Sequence, residues 1–280
     1  MVYADSSSLA IRTINKQPLE RKYVSQDYED IQFAMIPILS HMFLNTNFCL
    51  NAELQLFAIY DEIHNDYYVN ELVKGPLWKD NCLQGNFRWI IIVVNITFQF
   101  SEDNFDRHSN VMIVDTKEKT IRYFEPNGSM APWFSNVEKY IETKFVVKHF
   151  PGYRFISTSE FCPEKGPQAY SVDTYCAAYS LFLVWATLTD PEYNIHDLIK
   201  ELLKENKTEL RILIEKFIQY LYQYAEINGI FDFYEQYQSV IQMAKEKGLW
   251  SYELLAGKYL LSLNTEMMQI VYNYLSNYKN

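Results

Sequence analysis

The sequence has few glycines, few cysteines and no long hydrophobic run. Only 8 of its 280 residues are glycine and 16% are aromatic, which excludes a collagen-like or low-complexity chain. Apolar residues make up 49%, enough for a hydrophobic core, and this excludes general disorder. The most apolar runs, 89–97 and 177–188, are shorter than the roughly 20 residues that a membrane-spanning helix needs.

Basic residues are in the minority. The chain has 25 Lys and Arg against 35 Asp and Glu, a formal net charge of −10. Nucleic-acid-binding proteins carry a basic stripe, and anionic membranes repel acidic surfaces. We therefore expect neither nucleic acid nor membrane as a partner. Residues 1–15 lack the apolar segment of a signal peptide, which favours an intracellular protein.

The four cysteines are scattered, with no CxxC pair: Cys49, Cys82, Cys162 and Cys176. This spacing does not match a structural zinc site, and the number is too small for a disulfide framework. We therefore expect reduced thiols in an intracellular compartment. We also expect no metal and no cofactor.

Apolar periodicity divides the chain into segments. Residues 1–25 are polar and predict a flexible N-terminal arm. Residues 26–86 predict a helical segment that includes a helix at 51–63. Residues 192–280 predict one helix after another, as a helical C-terminal region.

The segment between them, 87–191, has the pattern of a compact core. The β-branched and apolar runs at 89–96, 111–115 and 119–124 predict strands, and the last two are close enough to form a hairpin. An apolar helix is predicted at 175–188. The whole pattern predicts an α+β fold with a small central mixed sheet flanked by helices and a helical C-terminal extension.

Among the five histidines, one lies where chemistry is expected. His41 lies in an apolar helical stretch and is expected to be a hydrogen-bonded core residue, whereas His64 is expected at the surface. His149 lies in a strand-like stretch with no obvious partner, and His196 lies in the first turn of a predicted helix. His108 differs from these four because it comes just before a strand whose hairpin partner ends in an acid.

That acid is Glu125, 17 positions after His108. The second strand of a hairpin returns alongside the first, so we expect the two side chains to meet. A carboxylate beside imidazole Nδ1 fixes the tautomer of the ring and stabilises the imidazolium. The pair therefore predicts an oriented general base.

Cys176 opens the apolar helix. A thiol at a helix N-terminus, beside an imidazolium, is expected to have a lowered pKa and to react as the thiolate. Asp173 is expected to cap this helix, and the amide of Gln168, just upstream, is a candidate donor to an oxyanion. Each residue alone has a simpler structural explanation, but their order, with each at an element boundary, favours a catalytic site.

The order and spacing of these residues resemble the adenain and SUMO/ubiquitin-like protease superfamily of cysteine proteases. The stretch is most similar to protease-like proteins of large DNA viruses. The matching motifs are His108-Ser109-Asn110, Phe124-Glu125-Pro126-Asn127-Gly128 and Cys176-Ala177-Ala178-Tyr179-Ser180-Leu181. The resemblance covers residues 87–191.

This resemblance implies a papain-like cysteine protease fold with the nucleophile on a central helix. It implies a thiol protease or isopeptidase that cleaves peptide or ubiquitin-like conjugate bonds, with protein or peptide substrates, located in a host cytoplasm or a virion. In this interpretation Cys176 attacks, His108 transfers protons, Glu125 orients the ring and Gln168 binds the oxyanion. Ser109 stands where many members have a tryptophan that walls the substrate channel.

Two other functions stay open from the sequence. Bacterial effector acetyltransferases resemble the same superfamily and use the same three residue types, but their polyanionic activator needs a basic patch. The C-terminal third has no run of Lys and Arg. A catalytically inactive binding module would use its aromatic helices as an interface, for example Tyr220-Leu221-Tyr222-Gln223-Tyr224.

Overall fold

The computed structural model describes residues 7–19, 35–36, 38–74, 80–101 and 104–229. These residues form a six-stranded mixed sheet with helices on both faces. The predicted α+β class with a central mixed sheet is therefore confirmed. Within the described residues, no helix combines the length and the apolar character that crossing a bilayer requires.

The sheet has the strand order β2-β1-β3-β4-β5-β6. Its strands are β1 (Phe48–Asp61), β2 (Asp66–Lys74), β3 (Trp89–Ser101), β4 (Asn104–Asp115), β5 (Thr120–Phe124) and β6 (Arg154–Ile156). The pairs β1–β3 and β5–β6 are parallel, and the other neighbours are antiparallel. The predicted hairpin is confirmed as β4 and β5, and it ends where Val111 faces Phe124.

Eight helices are described. They are α1 (Leu9–Asn15), α2 (Asp80–Gln84), α3 (Phe134–Ile141), α4 (Thr158–Phe161), α5 (Pro167–Ser171), α6 (Cys176–Thr189), α7 (Ile195–Leu202) and α8 (Lys207–Ile227). A π-helical turn, Glu142–Val146, and a last turn, Val147–His149, extend α3. Residues 35–36 and 38–42 are also helical. The part of the predicted helical C-terminal region that follows residue 229 lies outside the described residues.

Two hydrophobic layers hold the sheet between the helices. Val111 and Ile113 of β4 face the layer that contains α1, α6, α7 and α8. Met112 and Val114 face the layer that contains α3. This alternation follows from the two-residue period of a strand. Both faces of the central strands are covered, so β3 is a nearly continuous apolar run.

The helix predicted at 51–63 is wrong, because these residues belong to β1. Leu54, Leu56 and Ala58 are buried apolar residues of this strand, and they alternate with a period of two rather than a helical period. Segment 26–86 thus contributes two strands to the sheet, while its residues 35–36, 38–42 and 80–84 are helical. The domain boundaries themselves remain predictions.

The predicted loose arm also needs correction. Within it, α1 buries Ala10, Ile11 and Ile14 in the same layer as α8. The Lys216 ammonium of α8 donates to the carbonyl oxygen of Asn15 at 3.1 Å. A short apolar face was enough to dock this segment, although its flanks are polar. Residues 1–6 and 20–25 lie outside the described residues.

Cys49 and Cys82 form a disulfide that joins the start of β1 to α2. The expectation of reduced thiols is therefore wrong for this pair. The two cysteines are 33 positions apart in sequence, and their proximity, with Cα atoms 5.5 Å apart, arises only from the packing of α2 against the sheet. Cys162 and Cys176 are unbridged and buried.

Candidate active site

Strands β4 and β5 bring His108 and Glu125 together. The imidazole Nε2 lies 2.6 Å from Glu125 Oε1, and both side chains are buried. The ring therefore presents Nε2 to the acid, not Nδ1 as predicted. Nδ1 is then the nitrogen that remains for proton transfer.

The Glu125 carboxylate has four hydrogen-bond donors. Oε1 accepts from His108 and from the backbone N–H of Asn127 at 2.8 Å, and Oε2 accepts from Asn110 Nδ2 and Trp133 Nε1, each at 3.0 Å. Burial acts to raise the pKa of Glu125, but His108, Asn127 and Trp133 outweigh it and hold the pKa below its usual value. The buried acid is therefore ionised at neutral pH.

Thr158 fixes the backbone at the end of β5. Its hydroxyl donates to the carbonyl oxygen of Tyr123 at 2.6 Å and accepts from the N–H of Glu125 at 3.0 Å. The chain turns away from the sheet immediately after this point. Glu125 is therefore held at both its backbone and its side chain.

Cys176 lies at the first position of α6, against the strand that carries His108. The Ser109 N–H donates to Cys176 Sγ at 3.3 Å, and the Ser180 hydroxyl donates to the Ser109 carbonyl at 3.0 Å. Cys176 and Ser180 are one helical turn apart, so both bonds come from one face of α6. Strand β5 has already ended beside this part of β4, which leaves room for the helix N-terminus.

The predicted lowering of the Cys176 pKa is wrong. Burial raises the pKa of this thiol to about 12, while the N–H groups of Ser109, Ala177 and Cys176 itself act in the opposite direction. The helix N-terminus thus has the predicted effect, but desolvation of the thiolate is larger. The thiol is therefore neutral in this conformation.

The prediction that Asp173 caps α6 is wrong. The N-cap residue is Tyr175, which makes no side-chain capping bond. Asp173 Oδ1 instead accepts from the Tyr175 N–H at 2.9 Å, and Oδ2 accepts from the hydroxyls of Ser171 and Tyr179. Asp173 thus shapes the turn before the helix and leaves the first N–H groups of α6 to the sulfur.

Gln168 lies on α5 and is buried. Its Nε2 donates to the Asp173 carbonyl at 3.1 Å, and its Oε1 is buried with no hydrogen-bond partner among the described residues. The backbone N–H groups of Gly166 and Gln168 donate to the carbonyls of Asn127 and Pro126. The loop that carries Gln168 is therefore attached to the turn that follows Glu125.

Glycine is required where these two loops meet. Gly128 has φ +80°, and an added Cβ would lie 2.4 Å from the Glu164 carbonyl oxygen and from the Gly166 nitrogen. Backbone atoms cannot move away as a flexible side chain can. The close contact therefore fixes the relative positions of Glu125 and Gln168.

The remaining histidines lie outside this site. His64 is 75% exposed, as predicted. His41 is exposed and not a core residue, since its part of the chain packs through its other face, and its Nδ1 lies 3.0 Å from the Tyr224 hydroxyl. His149 ends the extension of α3, with its ring beside Phe145.

Sequence reasoning gave no role to three residues that support the site: Trp133, Thr158 and Ser180. Asn110 appeared only as part of a motif, although its position two residues after His108 places both on the same face of β4. Trp133 comes from a different element, and no local pattern marks it. Its ring lies 5.3 Å from that of His108 in an edge-to-face arrangement.

No family model and no curated protein matches this sequence. Among solved structures, the Chlamydia trachomatis effector protein Cdu1 bound to ubiquitin is similar, with a TM-score of 0.43 and 12% identity, covering 72% of this chain and 94% of that one. ChlaDub1 from Chlamydia trachomatis gives a TM-score of 0.46 and 12% identity over 75% and 96%. The C-terminal Ulp1 protease domain in complex with Smt3, the yeast ortholog of SUMO, gives 0.27 and 14% over 77% and 97%. These likenesses are weak, so we base the function on the geometry of this chain.

Proposed function

We propose that this chain is a thiol protease or isopeptidase in which Cys176 attacks the carbonyl carbon of a peptide or isopeptide bond. The supporting observation is the buried His108–Glu125 pair. Ser109, the residue after His108 on β4, donates its N–H to Cys176 Sγ. In the proposed mechanism an imidazole oriented by an ionised acid serves the thiol that the neighbouring N–H contacts, which is what nucleophilic catalysis needs.

The neutral thiol determines how the first step runs. Because burial raises the pKa of Cys176, the proton leaves Sγ as the C–S bond forms, and His108 Nδ1 accepts it as a general base. This transfer needs the Cys176 side chain to turn from the Ser109 N–H toward the ring. The Glu125 carboxylate stabilises the imidazolium that results.

In the later steps of the proposed mechanism, His108 returns the proton that it has taken. The tetrahedral intermediate collapses, the C–N bond breaks, and the amine leaves with the proton from His108. Water then attacks the thioester while His108 takes its proton, which releases the carboxylic acid and restores the thiol. We assign the oxyanion to the Cys176 N–H and to the second amide hydrogen of Gln168, since the Asp173 carbonyl accepts only the first.

The proposed substrates are proteins or peptides, with ubiquitin-like conjugates among them. The proposed catalytic residues are polar or ionisable, and they are buried. Such a site suits a short extended segment of substrate whose scissile carbonyl group loses its contact with water on binding. The sequence resemblance supplies the ubiquitin-like class. We propose no cofactor and no nucleic acid.

The test is fluorophore release from carboxyl-terminal amides of ubiquitin, SUMO and a mixture of unstructured peptides. Wild type is expected to turn over at least one of them, and Cys176→Ala none. Cys162→Ala removes the other unbridged buried thiol and is expected to keep full activity. Absence of turnover by wild type, full turnover by Cys176→Ala, or acetylation of a protein acceptor from acetyl-coenzyme A instead of hydrolysis would each overturn the proposal.

A further inference from the structure

We infer that Trp133 and Asn110 are positioning residues of this site, which hold the Glu125 carboxylate in the orientation that hydrogen-bonds His108. Neither residue carries out chemistry in the proposed mechanism. Their catalytic consequence rests on the proposed function, but their effect on Glu125 is independent of it.

The first step of the argument is the carboxylate itself. Oε1 accepts hydrogen bonds from His108 and from the Asn127 N–H. Both donors to Oε2 are side chains, those of Asn110 and Trp133. A glutamate side chain has several rotatable bonds, so contacts at one oxygen leave the carboxyl plane free to turn. Two donors that reach the second oxygen from different elements fix the plane.

Trp133 contacts both members of the pair. Its indole N–H donates to Glu125, and its ring lies 5.3 Å from the His108 ring at an interplanar angle of 60°. The indole is itself packed against Phe98 of β3 at 4.6 Å and Tyr67 of β2 at 5.8 Å. Strands β3 and β2, which lie on the opposite side of β4 from β5, therefore set the position of the donor.

Asn110 connects the acid to the strand that carries the base. It is fully buried, it lies two residues after His108 on β4, and its Nδ2 donates to Glu125 Oε2 and to the Tyr123 hydroxyl. Since His108 and Asn110 share one strand, their spacing is fixed by the backbone. Their common partner Glu125 is thus held at a fixed position relative to the imidazole.

The titratable groups near Glu125 show which interactions stabilise its charge. The titratable groups around Glu125 are His108 on β4, Tyr123 on β5 and Cys162 after α4. Burial raises the pKa of both Tyr123 and Cys162, with a further contribution from the Glu125 charge. Both are neutral near pH 7, so hydrogen bonds and His108 stabilise the buried carboxylate. Removal of either donor is expected to raise the pKa of Glu125, because burial stays and one favourable bond is lost.

The first measurement is independent of turnover. In protein labelled with ¹³C at glutamate Cδ, the Glu125 signal is assigned by its loss in Glu125→Gln and followed against pH. Trp133→Phe and Asn110→Ala are each expected to move its midpoint upward. The matched control is Trp185→Phe, which is expected to leave the midpoint unchanged. Trp185 is a buried residue of α6 that packs against Phe217 of α8.

The second measurement uses whichever substrate the wild type cleaves. Trp133→Phe is expected to lower kcat about ten- to a hundred-fold with KM unchanged, the loss expected for one hydrogen bond to a charged group. In the Glu125→Gln background the same change is expected to have a much smaller effect, because both substitutions act through one carboxylate.

The outcomes separate the two proposals. An unmoved Glu125 midpoint in both variants would overturn the positioning role, and so would a rise in KM at constant kcat, which marks a substrate contact. A moved midpoint in a protein that cleaves no substrate would leave the positioning role intact and overturn the proposed function.

Discussion

At Cys176, burial and the helix N-terminus act on one thiol in opposite directions. The N–H groups around Sγ favour the thiolate, but the loss of water costs more, and the pKa rises to about 12. At Glu125 the balance is reversed, because His108 and the hydrogen bonds from Asn127 and Trp133 outweigh the loss of water. The pKa values of two buried side chains thus shift in opposite directions, because the groups that surround them differ.

This difference predicts how Cys176 reacts without substrate. Iodoacetamide attacks the thiolate, so its rate at Cys176 is expected to be slow at pH 7 and to rise about tenfold per pH unit up to about pH 10. Mass spectrometry of the peptide that contains Cys176 measures the rate. The unfolded protein in urea, where the thiol has an ordinary pKa of about 8.5, is the control and should react much faster at pH 7. A fast, pH-independent rate in the folded protein would show a thiolate and contradict the expectation.

At the scale of elements, the site depends on where β5 ends. The turn after Glu125 leaves the sheet and its backbone bonds to the loop before α5, while α6 occupies the space beside Ser109. His108, Glu125, Cys176 and Gln168, to which the proposed mechanism gives roles, thus come from β4, the turn after β5, α6 and α5. The contact between Gly128 and Gly166 joins two of these elements.

Two glycines allow this contact to be tested. Gly128→Ala places a methyl group 2.4 Å from backbone atoms, whereas Gly152→Ala has nothing within 4 Å. Both have positive φ, +80° and +81°, so both pay the same conformational cost of about 1 kcal/mol. Gly128→Ala is expected to lower the free energy of unfolding by at least about 2 kcal/mol more than Gly152→Ala, measured by urea denaturation. Equal losses would show that the two loops can separate freely.

At the scale of the whole molecule, sequence-distant segments join around the sheet. Helix α1 packs in the same layer as α8, and Gln219 of α8 donates to the Pro18 carbonyl at 2.8 Å. On the other side, the Cys49–Cys82 disulfide attaches α2 to β1. The described part of the chain is therefore one packed structure rather than a core with a loose arm.

The disulfide predicts a measurable stabilisation. It closes a loop of 33 residues, for which the chain-entropy relation gives about 3 to 4 kcal/mol. Cys82→Ala, or reduction of the wild type, is expected to lower the free energy of unfolding by up to this amount. Cys162→Ala under the same conditions serves as the control for loss of a buried sulfur. A wild type whose stability does not change with a reductant would show that the bond does not form in solution.

Several features could be predicted from the sequence because they depend on neighbours along the chain. The β-branched run of β3, the β4–β5 hairpin and the apolar α6 come from local composition, and hairpin geometry alone brought His108 to Glu125. The α+β class followed from these elements. The predicted roles of Gln168 and Cys176, the viral resemblance and the intracellular location stay predictions.

Only the tertiary structure decided what depends on distant packing. Residues 51–63 contain both alternating and helically spaced apolar residues, and only the pairing of β1 with β2 and β3 selects the strand. The Cys49–Cys82 bridge, the indole of Trp133 on Glu125 and the burial of Cys176 all join residues that no local pattern connects. The sequence alone therefore determined which residue types face each other across the hairpin. Packing determined the directions in which the pKa values of Glu125 and Cys176 shift, because desolvation depends on everything that surrounds a side chain.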